Sequence, residues 1–252
     1  MFVDTHCHLT SASLTGRLPE LLRRAADAGV TRFIVPGVGA AEWDELFALC
    51  DRWRTIYPAP GIHPFRADSC DDEALYRLEQ HSVSAVAIGE IGLDYSCALS
   101  RSLQQHAFRS QLHVALGHGL PVIVHCRKAF ADALSILREA QVWRVGGVMH
   151  AFSGSPEIAA ECVGLGLTIG VAGPVTFENA IRPVEVVRRT PLASLLLETD
   201  APDLTPSPHR GSCNEPAFLI HIARKVAAIK GISIKEVAEV TTNTAVSLFR
   251  LS

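Results

Sequence analysis

Short apolar runs rich in β-branched residues recur along the chain, and longer amphipathic stretches separate them. The runs are Phe2–Asp4, Phe33–Val35, Ala59–Ile62, Val86–Ile88, Val122–Val124, Gly147–Met149, Thr168–Val171 and Leu195–Leu197. Runs that are apolar on both faces are typical of parallel strands that helices cover on each side. Eight such units in about 250 residues match the TIM barrel in number and length. We therefore predict an α/β fold, a (β/α)8 TIM barrel, as a single domain over residues 1–252.

Helical periodicity fills the intervals between these runs. The predicted helices between the strands are Leu18–Ala28, Ala41–Arg52, Asp71–His81, Ser102–Gly117, Ala129–Ala140, Pro156–Gly164 and Asn179–Arg189. After the last strand, a proline-rich loop over Pro202–Pro216 precedes two helical stretches, Ala217–Lys230 and Ile234–Arg250. No low-complexity linker divides the chain, which favours one domain over two.

The composition is that of a globular protein, with 48 % hydrophobic and 19 % charged residues among 252. The net charge of −3 gives no bulk attraction to nucleic acid or to an anionic membrane, so a polyanion would need local cations. Seven scattered cysteines without a CxxC pair favour free thiols in a reducing compartment. Without a signal peptide or a membrane-spanning run, we expect a cytoplasmic protein with no membrane contact and no obligate protein partner.

The carboxyl ends of the predicted strands carry candidate metal ligands, and this is where a TIM barrel places its reactive groups. The first strand leads into His6-Cys7-His8, in which residues i and i+2 share a face. Both imidazoles can therefore chelate one cation while Cys7 faces away, although the pair alone also fits a polar turn. Later strand ends add Glu90, His125, His150 and Asp200. Four imidazoles and two carboxylates suffice for two metal ions with open positions.

Two of these candidates, Glu90 and Asp200, are carboxylates next to apolar stretches, Ile88–Leu93 and Leu195–Leu197. An unpaired carboxylate is costly to bury, so we favour metal ligation over a structural ion pair. Asp200 is also the candidate catalytic base, because it can accept a proton from water that a metal has acidified.

Other polar residues are candidate substrate contacts or structural groups. For His63, in Gly-Ile-His-Pro, we favour substrate contact over a ligand or core role. Arg127 and Arg210, and also Lys128, can hold an anionic substrate, since guanidinium binds phosphate bidentately. For either arginine a salt bridge is an open alternative. The histidines on helical stretches are interpreted as structural: His81, His106, His113, His118 and His221.

Six motifs in chain order carry a resemblance to a known family. They are Phe2–His8, Gly61–Pro64, Gly89–Tyr95, Leu120–His125, His150–Gly154 and Leu197–Pro202, with further similarity at Pro208–Gly211 and Asn214–Pro216. Together they cover nearly the whole chain and resemble the TatD family of metal-dependent deoxyribonucleases, with amidohydrolase-like character and similarity to its YjjV-type branch. No GxSxG, Walker or GxGxxG pattern points to a serine nucleophile or a nucleotide loop.

The resemblance implies a two-metal site and hydrolysis of phosphodiester bonds from the 3′ ends of DNA. Carried over by motif, the ligands are His6, His8, Glu90 and Asp200 for one metal and Glu90, His125 and His150 for the other, with Glu90 bridging. The metals would activate the attacking water, and Asp200 would take its proton. Imidazole ligands favour Zn, Mn, Co or Ni, whereas the family's nuclease activity implies Mg or Mn.

Departures from the family pattern affect the expected substrate rather than the ligands. Ala151 stands where many members have Cys, Asp203 stands where many have Tyr, and the stretch Ser96–Leu103 is short. Near the mouth, Asp203 would repel phosphate unless it is paired or turned away. Hydrolysis of a small anionic ester, lactone or amide stays open, because barrels share metal sites across many substrates. A non-catalytic metal protein is disfavoured, because structural sites need no bridging carboxylate.

Overall fold

The computed structural model describes residues 1–251, in which parallel strands alternate with helices. The strands β1 to β8 span Phe2–Asp4, Val30–Pro36, Ile56–Ala59, Ile88–Asp94, Val122–Arg127, Gly147–Met149, Leu167–Val171 and Leu195–Leu197. The helices α1 to α10 span Ala12–Thr15, Leu18–Asp27, Trp43–Arg52, Asp72–Ser82, Arg101–His118, Phe130–Glu139, Pro156–Gly164, Arg182–Arg189, Leu219–Lys230 and Ile234–Phe249. None of these helices is long and apolar enough to cross a membrane.

The strands form two hydrogen-bonded sheets, β1 to β3 and β4 to β8, with every neighbouring pair parallel and consecutive in the chain. Backbone hydrogen bonds bridge the sheets at both seams. The Gly89 N–H donates to the Pro60 carbonyl at 3.0 Å, and the Thr5 N–H donates to the Leu197 carbonyl at 3.1 Å. The chain therefore has the predicted (β/α)8 arrangement, with ladder pairing interrupted at two seams.

The predicted element bounds need correction at β3, β4 and α8. β3 ends at Ala59, where the predicted run begins, and β4 begins at Ile88, where the predicted run ends. β4 continues to Asp94 and is buried along its whole length. The apolar pattern does not predict this part of the strand, because glycines and acids interrupt it there. α8 begins at Arg182 rather than Asn179, because a turn closed by Ala180 precedes it.

A β-bulge in β4 aims Glu90. The register with β5 shifts between Ile88 and Ile91, so that Gly89 and Glu90 together lie opposite Ile123. Such two-against-one spacing redirects a side chain and is common beside active sites. A Cβ at Gly89 would lie 2.4 Å from the Ile123 Cβ, so the close approach of the two strands requires glycine here.

Two apolar layers hold the strands. The interior cluster takes side chains from most strands and from the C-terminal segment: Val3, Ile34, Ala59, Ala87, Ile123, Val148, Leu196, Ala245, Phe249 and Leu251. A larger layer, which includes Trp43 and Phe108, lies between the strands and the outer helices. The Thr242 hydroxyl of α10 donates to the Met1 carbonyl, which places α10 at the amino ends of the strands. Loops rather than this helix therefore surround the carboxyl ends of the strands.

We expect Phe249→Ala to lower the free energy of unfolding by about 3–5 kcal/mol, because truncating a buried ring removes apolar burial and leaves a cavity. Phe249 is 1 % exposed and packs into the interior cluster. Denaturant unfolding followed by circular dichroism measures the change. Ile181→Ala, at a side chain 79 % exposed, is the control and should stay within about 0.5 kcal/mol of wild type. Equal unfolding midpoints for the two variants would contradict the packing of Phe249 into the interior cluster.

Candidate metal centre

The carboxyl ends of five strands bring the predicted ligands together. They are His6 and His8 after β1, Glu90 in β4, His125 in β5, His150 after β6 and Asp200 after β8. Cys7 faces the other way, with its Sγ 3.9 Å from the Ile34 carbonyl in the outer layer. The alternation along the first strand thus separates the imidazoles from the thiol.

His6, His8 and Asp200 form one group of ligand atoms. The two Nε2 atoms of His6 and His8 lie 3.1 Å apart, and Asp200 Oδ1 is 3.5 Å from the first and 3.4 Å from the second. The Asp200 N–H also donates to the His6 carbonyl at 2.8 Å, so the backbone itself joins the ends of β1 and β8.

Glu90 lies at the centre of the cluster and is 3 % exposed. Its Oε2 faces the first group, 3.3 Å from His6 Nε2 and 3.7 Å from His8 Nε2. Its Oε1 faces the opposite side, 2.7 Å from His125 Nδ1 and 3.6 Å from His150 Nε2. The two oxygens of one carboxylate thus address two separate sets of imidazoles.

His63 lies within the cluster rather than at its rim. Its Nε2 is 3.6 Å from Glu90 Oε1 and 3.3 Å from His125 Nδ1. Burial lowers the pKa of His63 to about 4, so the ring is neutral near pH 7. Because Nδ1 accepts the Phe65 N–H at 3.1 Å, the single ring proton is on Nε2. In this tautomer the Nε2–H of His63 points toward the cluster, 3.3 Å from His125 Nδ1.

The electrostatics of the cluster favour positive charge at its centre. Burial would raise the pKa of Glu90, but the imidazoles of His150 and His6 hold it well below its usual range. Burial would lower the pKa of His150, but the carboxylates of Glu198 and Glu90 raise it to about 10. For His125, hydrogen bonds with Asp94 and Glu90 outweigh burial and raise the pKa to about 9. Glu90 is therefore ionised among these imidazoles.

The spacing of the ligand atoms fits a divalent cation. With metal–ligand distances near 2.1 Å, neighbouring ligands lie about 3.0 Å apart in octahedral and about 3.4 Å apart in tetrahedral geometry. The measured separations among the Nε2 atoms of His6 and His8, Glu90 Oε2 and Asp200 Oδ1 run from 3.1 to 3.7 Å. Within residues 1–251, the groups able to hold an ion are His6–Glu90–His150, His6–His8–Asp200 and His63–Glu90–His125.

The loop after β8 fixes Asp200 through a buried asparagine. Asn214 is 0 % exposed, and its Nδ2 donates to the Thr199 carbonyl at 2.8 Å and the Asp203 carbonyl at 2.6 Å. The Asp203 N–H donates to the Asp200 carbonyl at 2.8 Å. Asp200 itself has φ +59°, a left-handed conformation that aspartate tolerates better than most residues. Hydrogen bonds on both sides hold it there.

Two glutamines of α5, which sequence reasoning missed, support the site from behind. Gln111 is buried, accepts the Ile62 N–H at 2.7 Å and donates to the Ile62 carbonyl at 3.0 Å, next to His63. Gln104 is buried and pairs in the same way with the backbone of Asp94, at 2.8 and 3.0 Å. Their spacing of two helical turns on a buried face is the signal that could have revealed them.

Sequence reasoning also gave no role to two fully buried carboxylates. Asp94 Oδ2 lies 3.2 Å from His125 Nε2, and Glu198 Oε1 lies 3.0 Å from His150 Nδ1. Asp94 ends the buried strand that contains Glu90, and Glu198 follows the apolar strand β8, so each is a carboxylate next to apolar residues, which is the same signal that identified Glu90. Ala151, one of the departures from the family pattern, donates its N–H to Glu198 Oε1 at 2.5 Å.

The cations expected to contact substrate are exposed near the strand ends. Arg127 ends β5 and Lys128 follows it, while Arg210 lies over the ring of Phe177 with Cζ 4.3 Å from the centroid. None of the three forms an ion pair with another described residue. Within residues 1–251, the salt-bridge alternative is therefore not supported for either arginine.

The opposite side of the mouth is acidic. A cavity of about 400 Å³ beside His8 is lined by Thr10, Ser11, Glu42 and Asp203, among others. Among the described residues neither of its carboxylates has an ion-pair partner, so Asp203 is neither paired nor removed from the mouth. Phosphate is disfavoured on this side.

The histidines interpreted as structural take no part in the groups of ligand atoms found among residues 1–251. His81 stacks on Phe47 with ring centroids 4.5 Å apart, and its Nε2 is 3.5 Å from Asp44. His221 Nε2 lies 3.2 Å from His209 Nε2, away from the cluster.

A chain of eight βα units with a His/Glu/Asp cluster at the carboxyl ends of its strands has the architecture of the metal-dependent hydrolases. Comparison with known proteins narrows the class. Residues 3–250 match the family described as TatD related DNase. The chain belongs to this family, as its motifs predicted.

Individual relatives agree with this assignment. The chain is 39 % identical to the uncharacterized metal-dependent hydrolase YabD of Bacillus subtilis, covering 100 % of both proteins. It is 34 % identical to the 3′-5′ ssDNA/RNA exonuclease TatD of Edwardsiella piscicida, covering 99 % of this chain and 100 % of that protein. The crystal structure of the TatD homologue YjjV from Escherichia coli K12 superimposes with TM-score 0.92 at 34 % identity, covering 100 % and 98 %. The predicted fold class is thereby confirmed.

We expect Glu90→Ala to remove more bound metal than any single histidine substitution, because its two oxygens face both sets of imidazoles. Elemental analysis of purified protein after desalting measures the metal content. His113→Ala, on the exposed face of α5, is the control and should keep the wild-type content. Wild-type metal content in Glu90→Ala would contradict a bridging position for this carboxylate.

Proposed function

We propose that this protein is a 3′-5′ exodeoxyribonuclease that hydrolyses phosphodiester bonds with two divalent metal ions, Zn, Mg or Mn. The observation that carries the proposal is the position of Glu90, whose two oxygens face separate groups of ligand atoms at the mouth of the barrel. Two-metal sites of this type act on phosphodiesters by stabilising both the attacking and the leaving oxygen. The exonuclease name of a full-length relative supports the same substrate class.

The ligands divide between the two ions as the family motifs imply. His6, His8 and Asp200 would hold one ion and His125 and His150 the other, with Glu90 shared between them. When bound, the ions supply Lewis acidity that polarises the phosphodiester and acidifies water. The chain provides the rigid ligand positions and a water-poor surround, because Glu90, His6 and His150 are all buried.

Asp200 acts as the proton acceptor for the attacking water. Its Oδ1 lies among His6, His8 and His150, at 3.4 to 3.7 Å, and its side chain is 13 % exposed on the side of the mouth. Burial would raise its pKa, but the imidazoles of His150 and His8 hold it below the usual range. The carboxylate is therefore ionised at neutral pH, which is the form that a proton acceptor needs.

His63, Arg127 and Arg210 hold the substrate. The Nε2–H of His63 points toward the cluster and can donate to a phosphoryl oxygen. The two arginines leave their guanidinium groups exposed and unpaired within the described chain, as phosphate binding requires. The partners are thus the 3′ ends of DNA, and we place the reaction in the cytoplasm, as the cysteine pattern predicts.

A compact ester, lactone or amide is the second candidate substrate. The acidic cavity beside His8 favours it, since Glu42 and Asp203 would repel an approaching phosphate. Such a substrate would use the same metal site and the same base. The two functions differ only in the substrate that can enter the mouth of the barrel.

A substrate panel separates the two functions and tests Asp200. Metal-stripped protein reloaded with Zn, Mg or Mn should degrade 3′-labelled single-stranded DNA and leave carboxylic esters intact. Asp200→Asn should lower kcat by about 100- to 10 000-fold, because it removes the proton acceptor. Ester turnover with intact DNA under every metal would overturn the nuclease proposal.

Arg127→Ala and Arg210→Ala should each raise KM for DNA by about 3- to 10-fold with a smaller effect on kcat, because each removes a phosphate contact. Steady-state kinetics at two salt concentrations measures this, and the variants should show a weaker dependence on salt. Arg109→Ala is the control, because Arg109 is paired with Glu139 on the outer helices. Unchanged KM in both variants would exclude these arginines from the substrate path.

A further inference from the structure

Behind the cluster, two buried carboxylates lie against the far sides of two histidine rings. The ring of His125 has Nδ1 2.7 Å from Glu90 and Nε2 3.2 Å from Asp94. The ring of His150 has Nε2 3.6 Å from Glu90 and Nδ1 3.0 Å from Glu198. The two histidines therefore turn opposite nitrogens toward the centre of the cluster.

Asp94 is held in place from several directions. It is 0 % exposed, and its Oδ1 accepts the Ser96 N–H at 2.8 Å and the Ser96 hydroxyl at 2.5 Å. Its backbone is fixed by Gln104. With Oδ1 so occupied, Oδ2 is left for the Nε2–H of His125, which donates to it.

Glu198 occupies a space that a glycine opens. It is 0 % exposed, and a Cβ at Gly170 would lie 2.6 Å from its Oε2 and 2.7 Å from its Oε1. Oε1 accepts the Ala151 N–H at 2.5 Å. His150 Nδ1 lies 3.0 Å from Oε1. Neither this Nδ1 nor Glu198 Oε2 has a hydrogen-bond partner elsewhere among the described residues.

We propose that Asp94 and Glu198 are positioning residues that decide which ring nitrogen each histidine presents to a metal ion. Asp94 holds the proton on Nε2 of His125, so Nδ1 is the ligand atom. Glu198 holds the proton on Nδ1 of His150, so Nε2 is the ligand atom. A carboxylate in this position fixes the ring and increases its basicity toward the metal. The inference rests on the ligand roles proposed above for both histidines.

Burial favours a protonated ring nitrogen beside each carboxylate. Asp94 and Glu198 are 0 % exposed, and a carboxylate buried without a donor is costly. The ring nitrogens of His125 and His150 lie 3.2 Å from Asp94 Oδ2 and 3.0 Å from Glu198 Oε1.

NMR of the wild-type protein tests the assignment directly. With isotope-labelled histidine side chains and NMR-active cadmium in the site, couplings to the metal should appear at Nδ1 of His125 and at Nε2 of His150. His125→Ala and His150→Ala identify the signals by their disappearance. Coupling through Nε2 of His125, or through Nδ1 of His150, would overturn the proposal. This readout needs no variant of Asp94 or Glu198 to fold.

Metal affinity provides the second test, measured by competition with a chelator in the absence of substrate. Asp94→Asn and Glu198→Gln should each weaken metal binding by about 10- to 100-fold. Gly170→Ala should act similarly to Glu198→Gln, because it displaces the carboxylate without removing its charge. Glu139→Gln, at an exposed carboxylate on α6, is the matched control and should bind as wild type does.

The outcomes separate this inference from the proposed function. Wild-type affinity in Asp94→Asn and Glu198→Gln, with folded protein by circular dichroism, would reduce both carboxylates to ordinary ion-pair partners. Weakened metal binding in these variants, together with DNA left intact by the metal-loaded wild-type protein, would instead support the positioning role and contradict the nuclease. Neither result depends on the other, because metal binding is measured without substrate.

Discussion

The burial of the Glu90 carboxylate is the constraint on which the rest of the site depends. An ionised carboxylate at 3 % exposure is stable only if positive charge or strong donors surround it. Imidazoles from the ends of four other strands surround its two oxygens and provide these donors. The cluster is therefore organised around a negative charge, and the fold alone brings together the groups that could hold a metal ion.

Rigid support from outside the ligand set makes this arrangement possible. A bulge in β4 turns Glu90 inward, Gln104 and Gln111 of α5 hold the backbone on either side of the cluster, and Asn214 fixes the loop that carries Asp200. Each device satisfies backbone groups that would otherwise be buried without partners. The loops at this end of the barrel can therefore be buried and irregular while holding side chains to narrow distances.

Much of the fold and of the ligand set could be predicted from the sequence, because the signals for both lie in neighbouring residues along the chain. Polar residues that directly follow apolar strands, such as His125 and Asp200, identify themselves by position along the chain. The bulge at Glu90 was not predictable, because it depends on the register between two strands. The sequence also does not predict the tautomer of His63, which the Phe65 N–H sets. Nor does it predict the burial of Glu198, which depends on the missing side chain of Gly170 on the neighbouring strand β7.

The division of the barrel into two sheets gives the metal centre a second consequence. His6, His8 and His63 come from the sheet of β1 to β3, whereas Glu90, His125, His150 and Asp200 come from the sheet of β4 to β8. The ligands of one group thus face each other across the seams between the two sheets. A cation shared by His6 and Glu90 would therefore act as a cross-link between two half-barrels. The ligands proposed for this ion, His6, His8 and Asp200, come from both sheets, whereas those proposed for the second ion come from one. Occupancy of the first position would therefore stabilise the barrel as well as complete the site.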